Sequence, residues 1–353
     1  MKRIFALLAS FIALIACDRF FDISDQVGES TVWMTFIPSN DYDTTFFCLQ
    51  ATTPLAGPTS PVLTRDEKVE VLVNGRSLAL EKSARSVPDK MQFYSTGHTF
   101  APGDLVEVVA TVPGTGSVSS SCTVPEPFPA CNWNVRLARR SEDENIVFLD
   151  IDYADSGEAG YYGAAVIEYS ETDNQFGIAD PETGELYWGD PVHSTTEQAL
   201  YPCSMSDSDA LSAAGENPVS VSPGYYNTMS GGRNENVQIW CDVPGQAPAG
   251  GRRQVTLAAR VSQPGVTEYH YVEPDYEYHH RAVRSCKYRI VFYRFSESCY
   301  KYLKAQYNSS YSDFSELGLA PASFVYTNVK GGAGVCGSYT VLSTDWFEIP
   351  SFW

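Results

Sequence analysis

Short alternating segments separated by turn residues are the feature that most limits how this chain can fold. Lys68–Val73 alternates and ends at Asn74-Gly75, a pair typical of two-residue hairpin turns. Leu105–Val112 follows the turn 102–104, and every second residue from Val106 onward is apolar. Several such strands between residues 31 and 126 predict an N-terminal β-sandwich of the immunoglobulin-like or transthyretin-like kind.

A second, larger β-rich domain is predicted after residues 125–129, where prolines cluster. It is expected to span residues 127–345, with a tail at 346–353. Residues 171–236 are rich in Ser, Gly, Asn, Asp and Pro and are predicted to form a long insertion. The strand candidates in this domain are 132–137, 146–153, 164–169, 237–241, 254–261 and 287–295.

One short helix is predicted directly after the last of these strands. Ser296 is a suitable N-cap, and Glu297 places a negative charge in the first turn. Tyr300, Leu303 and Tyr307 fall on one helical face. The sequence therefore predicts a mostly β fold with one short C-terminal helix.

The beginning of the chain predicts export and lipid attachment. Lys2-Arg3 is followed by an apolar run too short to cross a bilayer as a helix, which is typical of a secretory signal peptide, here residues 1–16. Leu-Ile-Ala before Cys17 resembles a bacterial lipobox. We therefore expect lipidation of Cys17, a tether over residues 17–30, and anchoring in outer-membrane lipid at the cell surface or the periplasmic face.

Charge excludes one class of partner. The formal net charge of the chain is −19. Such an acidic chain repels phosphate backbones, so no nucleic acid is expected to bind. The same charge argues against electrostatic docking on anionic lipid, so membrane attachment is expected through the acyl chains alone.

Cysteine content agrees with an oxidising compartment. An even number remains once Cys17 is set aside, which favours disulfides. These cysteines are Cys48, Cys122, Cys131, Cys203, Cys241, Cys286, Cys299 and Cys336. Proximity favours the pairs Cys48–Cys122, Cys203–Cys241 and Cys299–Cys336, although the sequence permits many others. No CxxC pair occurs, which argues against a cysteine metal site.

Two C-terminal segments carry a family resemblance. SESCYKYLKAQ at 296–306 and APASFVYTNVKGGAGVCGSY at 320–339 resemble the signature of a Bacteroidota envelope lipoprotein family, domain-of-unknown-function family 4249. The matching residues are Ser296, Glu297, Tyr300, Tyr302, Pro321, Val325, Tyr326, Thr327, Asn328, Val329, Gly332, Gly334, Val335 and Gly337. The chain differs at Cys336, where the family usually carries Phe, and in its additional cysteines.

The resemblance implies a role but no established activity. Family members are often encoded beside TonB-dependent outer-membrane transporters. The function predicted is a non-enzymatic accessory or ligand-binding partner of such a transporter, for a nutrient such as a glycan or peptide, with no cofactor. Two alternatives stay open: a fimbrial or adhesin-type structural lipoprotein, whose donor strand would be the short segment 347–353, and an envelope hydrolase that uses carboxylates of the second domain.

Aromatic residues in expected loops are the candidate ligand contacts. Flat rings with polar edges suit stacking on sugars or contact with peptides. Trp188 and Tyr225-Tyr226, in the predicted insertion, lead this set.

Two further groups of residues favour structural roles, and a third leaves metal binding open. The glycine-rich stretch 331–337 lacks the following helix of a phosphate loop and predicts a tight turn. His270, His279 and His280 flank Pro274, but adjacent histidines on a strand face opposite ways, so a solvated hairpin without metal is predicted. A third set has acidic residues at alternating positions, which leaves calcium binding open. These residues are Asp150, Asp152, Asp155 and Glu158.

Overall fold

The computed structural model describes most of the chain between residues 32 and 349. The described residues are 32–51, 63, 66–84, 86, 91–114, 116–139, 145–180, 182–202, 219–221, 236–244, 251–261, 264–273, 276–310 and 326–349. The sequence-predicted sites that lie outside them are Cys17, Cys203, Tyr225-Tyr226 and Pro321. The described part is mostly β with one short helix near the C-terminus, which confirms the predicted fold class.

The strands and the helix are numbered in chain order. They are β1 (Val32–Phe36), β2 (Thr45–Ala51), β3 (Lys68–Val73), β4 (Arg76–Ser77), β5 (Glu81–Lys82), β6 (Met91–Thr96), β7 (Leu105–Val112), β8 (Gly116–Thr123), β9 (Cys131–Arg139), β10 (Asn145–Ala154), β11 (Gly160–Ala179), β12 (Leu186–Trp188), β13 (Val192–Ala199), β14 (Val219–Val221), β15 (Val237–Asp242), β16 (Arg252–Val261), β17 (Gly265–Glu273), β18 (Tyr276–Phe295), α1 (Glu297–Ser310), β19 (Ala333–Cys336) and β20 (Tyr339–Ser343). Among the described residues, no helix has the length and apolar character needed to cross a membrane.

Two sheets form the N-terminal sandwich. One has the strand order β19-β1-β2-β6-β5 and the other β4-β3-β7-β8. The apolar alternation of β7 places Val106, Val108 and Ala110 in the core between the sheets, where they are fully buried. The Asn74-Gly75 turn has positive φ at both residues, as a tight hairpin requires.

The C-terminal end of the chain completes this first sandwich. β19 pairs in parallel with β1, with Phe36 opposite Cys336. Parallel neighbours need a long connection, and here it comprises residues 37–332, which is most of the chain. The N-terminal sandwich therefore includes residues far beyond the predicted boundary at 126.

The larger unit is built on two further sheets. A three-stranded sheet, β16-β10-β9, packs on an eight-stranded sheet whose main path is β14-β15-β11-β18-β17, with β12 and β13 on β11 and β20 on β18. Phe128, from the proline-rich segment, packs in the core between them, against Tyr153 and Phe292.

A third core joins the two units through α1. It lies on the opposite face of the eight-stranded sheet and contains Val291 and Phe295 of β18, Tyr302 of α1, and Val335 of β19. The N-cap is as predicted, since Ser296 Oγ accepts a hydrogen bond from the Cys299 amide at 3.3 Å.

The predicted insertion at 171–236 contains regular structure where it is described. Residues up to Ala179 continue β11, and β12 and β13 fold back on the same strand. No strand was predicted there, because these strands are solvated on both faces and their sequences lack the apolar alternation of a strand with one buried face.

Candidate functional site

Two long strands carry a sheet extension beyond the cores. β11 and β18 each contain 20 residues and pair from Tyr162–Arg294 to Ala179–Glu277. We call the outer part of this sheet the arm: residues 171–179 of β11, residues 276–284 of β18, and all of β12, β13 and β17. Within the described residues, it carries most of the large apolar side chains that are exposed.

Strand register divides the arm into two faces. Directly opposed residues point the same way, and neighbours along a strand point opposite ways. Tyr271, Tyr278, Ile178 and Tyr187 form one cross-strand row. The adjacent row, on the other face, contains His270, His279, Gly177 and Trp188.

The first of these, the aromatic face, is a solvent-exposed apolar surface. Tyr271 is 62% exposed and Tyr187 is 61% exposed. Its large exposed members are Phe176, Ile178, Tyr187, Val192, Tyr269, Tyr271 and Tyr278. On a soluble surface, a contiguous set of this size is typical of an interaction site.

Ring stacking orders the centre of the aromatic face. His280 stacks on Phe176 with ring centroids 4.7 Å apart, and on Tyr269 at 5.9 Å. His280 Nε2 also lies 3.0 Å from Asn174 Oδ1. Three rings on three strands are thus aligned across the sheet, so the surface is preformed.

The second face, the histidine face, combines two histidines and a carboxylate with exposed apolar side chains such as Val272 and Trp188. His270 and His279 are cross-strand partners whose rings stack at 4.6 Å. Glu277 lies beside both, and its Oε1 contacts Nε2 of His270 and lies 3.2 Å from Nε2 of His279. Trp188 approaches His279 edge-on at 6.3 Å.

The outermost strand of the arm has a free edge. β17 ends the sheet order, and among the described residues no strand pairs with its outer side. Its sequence, GVTEYHYVE, contains neither the lysine nor the proline that commonly protects edge strands. The edge is therefore a second means of contact, through backbone hydrogen bonds.

The aromatic residues considered as ligand contacts lie in different environments: some are exposed on the arm and others are buried in the core. Trp188 lies on the arm and is 40% exposed, but in strand β12 rather than in a loop. Tyr162 and Trp240 are core residues. The exposed tyrosines of β17 and β18 belong to the segment predicted to form a solvated hairpin. Their position on one sheet face was not predicted, because it follows from the hairpin register.

Two carboxylates of the second unit, Asp155 and Asp242, belong to a buried polar network. Asp155 and Asp242 flank Arg253, whose side chain is 1% exposed, at 3.1 Å and 3.7 Å. Tyr153 donates to Asp242 at 2.9 Å, and Trp240 Nε1 donates to the Tyr153 hydroxyl at 2.9 Å. Burial raises the pKa of the Asp242 carboxyl. Two atoms of this network, Asp242 Oδ2 and Arg253 Nη1, are buried without a hydrogen-bond partner among the described residues.

Three of the acidic residues considered as calcium ligands form ion pairs with arginines. Asp150 accepts hydrogen bonds from Arg136 at 3.0 Å and from Thr256 at 2.7 Å. The Arg136 hydrogen bond lowers the pKa of the Asp150 carboxyl. Asp152 binds Arg252 at 2.8 Å. Asp150, Asp152 and Asp155 each pair with a different arginine, and no convergent set of metal ligands forms from these acidic residues within the described part of the chain.

The family-motif residues make hydrogen bonds and close backbone contacts at the junction of the two units. Asn328 Oδ1 accepts from the Cys336 amide at 3.0 Å, and its Nδ2 donates to the Cys336 carbonyl at 2.8 Å. Gly334 has φ +107, and a Cβ there would overlap the carbonyl oxygen of Met34. A Cβ on Gly337 would lie 2.8 Å from the backbone of Cys299 in α1. The motif is therefore structural.

Two other motif residues have the same role. A Cβ on Gly332 would lie 2.5 Å from the carbonyl oxygen of Val32, so this position packs directly on β1. Tyr326 is half-buried against the third core, with Lys301 Nζ 5.9 Å from its ring centroid.

Three thiols gather at the same junction. Cys336 Sγ lies 3.5 Å from Cys122 Sγ, and Cys299 is fully buried beside Gly337. Cys48 points to the side of β2 opposite Phe47 and Leu49, whose core includes Cys122. The predicted pair Cys48–Cys122 therefore differs from the observed arrangement, which places Cys122 against Cys336.

The other described cysteines form no further sulfur–sulfur contact of this kind. Cys131, Cys241 and Cys286 are half-buried free thiols. Cys241 had been predicted to pair with Cys203, which lies outside the described residues.

Fold and surface together define a class: a protein of two stacked β-sandwich units, joined by a C-terminal helix and carrying an exposed aromatic arm. The family model described as "Domain of unknown function (DUF4249)" matches residues 22–345, and the chain belongs to that family. No relative was found among curated proteins.

Proposed function

We propose that this protein is an outer-membrane lipoprotein of Bacteroidota, anchored through acylated Cys17, that acts as a non-enzymatic accessory partner of a TonB-dependent transporter. The aromatic face of the arm is the contact surface. The observation that carries the proposal is the exposure of seven large apolar side chains on one face of the arm, in a chain with net charge −19.

The composition of this face suits a protein partner. Three successive cross-strand rows of the aromatic face begin at Tyr271, Tyr269 and Thr267 of β17. None of these rows contains a carboxylate. Depletion of charge and enrichment in tyrosine are typical of the centre of protein interfaces.

Shape favours a protein over a small ligand. Ligand sites are usually concave and enclose most of the bound molecule. The aromatic face is one side of an extended sheet, and its rings are largely solvent-exposed. It therefore offers a broad contact area but does not enclose a small ligand. A nutrient glycan or peptide would then be held jointly with the transporter.

The principal test is a gentle-detergent pull-down of the tagged protein from its own outer membrane, followed by mass spectrometry. The wild type should recover a TonB-dependent transporter in stoichiometric amount. The triple variant Tyr187→Ser, Tyr269→Ser, Tyr271→Ser should reduce recovery by about tenfold or more, since losing a hot-spot tyrosine costs about 2 kcal/mol.

A matched control uses exposed apolar residues elsewhere. Leu105 and Val109 are 41% and 40% exposed on β7 of the first sandwich. The double variant Leu105→Ser, Val109→Ser should recover the transporter as the wild type does. Recovery of the protein alone or as a self-ladder would overturn the accessory role, and full recovery with the triple variant would overturn the assignment to the arm.

The anchor has its own test. A Cys17→Ala variant should leave the membrane fraction on carbonate washing, because no acyl chain would hold it. A variant that stays membrane-bound would contradict anchoring through Cys17.

The structural alternative has support from one observation, the free edge of β17, which offers backbone groups for strand addition between copies. The donor segment proposed for it is partly occupied, because Phe347 exchanges two backbone hydrogen bonds of 2.8 Å with Tyr288. Heat-resistant ladders on gels would favour this alternative.

A further inference from the structure

We propose that His270, Glu277 and His279 form a binding site for a divalent first-row transition metal such as Zn²⁺. Their ligand atoms all lie within 4.8 Å of one another. The inference stands on this geometry and does not depend on the proposed transporter.

The hairpin register brings the three groups together. β17 and β18 pair as antiparallel strands, and their register sets His270 opposite His279. Glu277 is two residues before His279 on the same strand, so its side chain emerges on the same face. All three ligands therefore come from two adjacent, paired strands.

The donor atoms already converge. The Nε2 atoms of His270 and His279 are both directed at Oε1 of Glu277. In a tetrahedral zinc site with bonds of about 2.0–2.1 Å, ligand atoms lie about 3.3 Å apart. The half-exposed side chains of His270 and Glu277 can reach that spacing by rotation, because they are not packed in a core.

The chemistry of the set selects the class of metal. Two imidazoles and one carboxylate suit zinc and its neighbours, whereas calcium and magnesium prefer all-oxygen ligands. Three protein ligands leave the fourth zinc position open to water or to a group supplied from outside. The high negative charge of the chain raises the local concentration of cations.

Trp188 completes one wall of the site. A Cβ on Gly177 would lie 3.0 Å from Cε3 of Trp188, so the indole of Trp188 lies over this glycine and reaches the His279 ring. The apolar ring limits the approach of water on that side. Trp188 is thus a positioning residue for His279.

The test is isothermal titration of the mature protein, carrying a tag without histidine, with Zn²⁺ alone. The wild type should bind one equivalent saturably. His270→Ala and His279→Ala should each weaken binding by about 100-fold or more, because even the outer partners of metal ligands contribute about 10- to 100-fold. Glu277→Gln removes the charge with little change of shape and should also weaken binding.

His280→Ala is the matched control, since His280 is the neighbour of His279 on the same strand but faces the opposite side. It should bind zinc as the wild type does. Far-ultraviolet circular dichroism of each variant should match the wild type, because the substituted side chains are solvent-accessible.

Cobalt substitution distinguishes this site from the cysteines. Co²⁺ bound by imidazole and carboxylate gives visible d–d bands without the near-ultraviolet charge-transfer band of thiolate ligands. A thiolate band, wild-type affinity in both histidine variants, or no saturable zinc binding would each overturn the proposal. Loss of binding in the His280→Ala control alone would also overturn it.

Discussion

The sulfur atoms of Cys122 and Cys336 lie 3.5 Å apart, although 214 residues separate them along the chain. Both are buried at the junction where β19 joins the first sandwich. Sequence proximity had instead favoured Cys299–Cys336, and Cys299 is buried nearby, with its backbone beside Gly337.

Protein purified from an oxidising compartment should contain a Cys122–Cys336 disulfide. The link would close a very long loop, and its removal by Cys336→Ser should lower the free energy of unfolding by about 2–4 kcal/mol. Peptide mapping without reduction identifies the pair. Cys286→Ser is the control and should change stability little. A Cys299–Cys336 or Cys48–Cys122 link would contradict this prediction.

Asn328→Ala should destabilise the junction of the two units. The substitution leaves both backbone groups of the fully buried Cys336 without their side-chain partner, at a cost of about 1–3 kcal/mol each. We expect a lowering of the free energy of unfolding by about 2–4 kcal/mol in urea titration.

Asn40 supplies the control for this prediction. Its side chain binds both backbone groups of Val341 in the same way, at 2.8 Å and 3.3 Å, but it is exposed. Water replaces the lost partners there, so Asn40→Ala should cost less than about 1 kcal/mol. Equal effects of the two substitutions would refute the explanation by burial.

Gly334→Ala should prevent stable folding. The residue has φ +107, and a Cβ would overlap the carbonyl oxygen of Met34 in the paired strand β1. We expect a loss above about 3 kcal/mol, measured by thermal unfolding or seen as lack of soluble protein. Gly75 also has positive φ, but a Cβ there would meet no atom within 4 Å. Gly75→Ala should therefore lower the free energy of unfolding by only about 1–2 kcal/mol.

Asp242→Asn should change how stability depends on pH. Burial raises the pKa of Asp242 above its ordinary 3.8 in the folded protein. Its contribution to stability is therefore complete below pH 3.8 and is lost as the pH rises through the folded pKa. The amide cannot titrate, so the free energy of unfolding of the wild type should fall relative to the variant across that interval.

Asp180 provides a control of opposite sign. Backbone hydrogen bonds from Thr183 and Glu182 lower the pKa of its carboxyl below 3.8. Its contribution is present above that pH and lost as the pH falls through the folded pKa. Urea titrations at a series of pH values compare Asp180→Asn with Asp242→Asn, and the same slope for both would contradict the assignment.

Part of the candidate site could be predicted from the sequence. The hairpin predicted around Pro274 is confirmed by the pairing of β17 with β18, which sets residue 270 opposite 279 and residue 271 opposite 278. His279 and His280, which are adjacent on β18, face opposite ways, as predicted. Extending the register by a few residues would have predicted the two faces of this hairpin, but not its pairing with β11.

The sequence by itself determined the local structure: the alternating strands, the tight turn at Asn74-Gly75, and the helix capped by Ser296. These follow from residue periodicity and from backbone preferences within a few residues. Only the tertiary structure decided that β19 returns to pair with β1, that Cys122 meets Cys336, and that the aromatic strands stand exposed. Those outcomes depend on which distant segments pack together, and the pattern along one strand does not specify its partner.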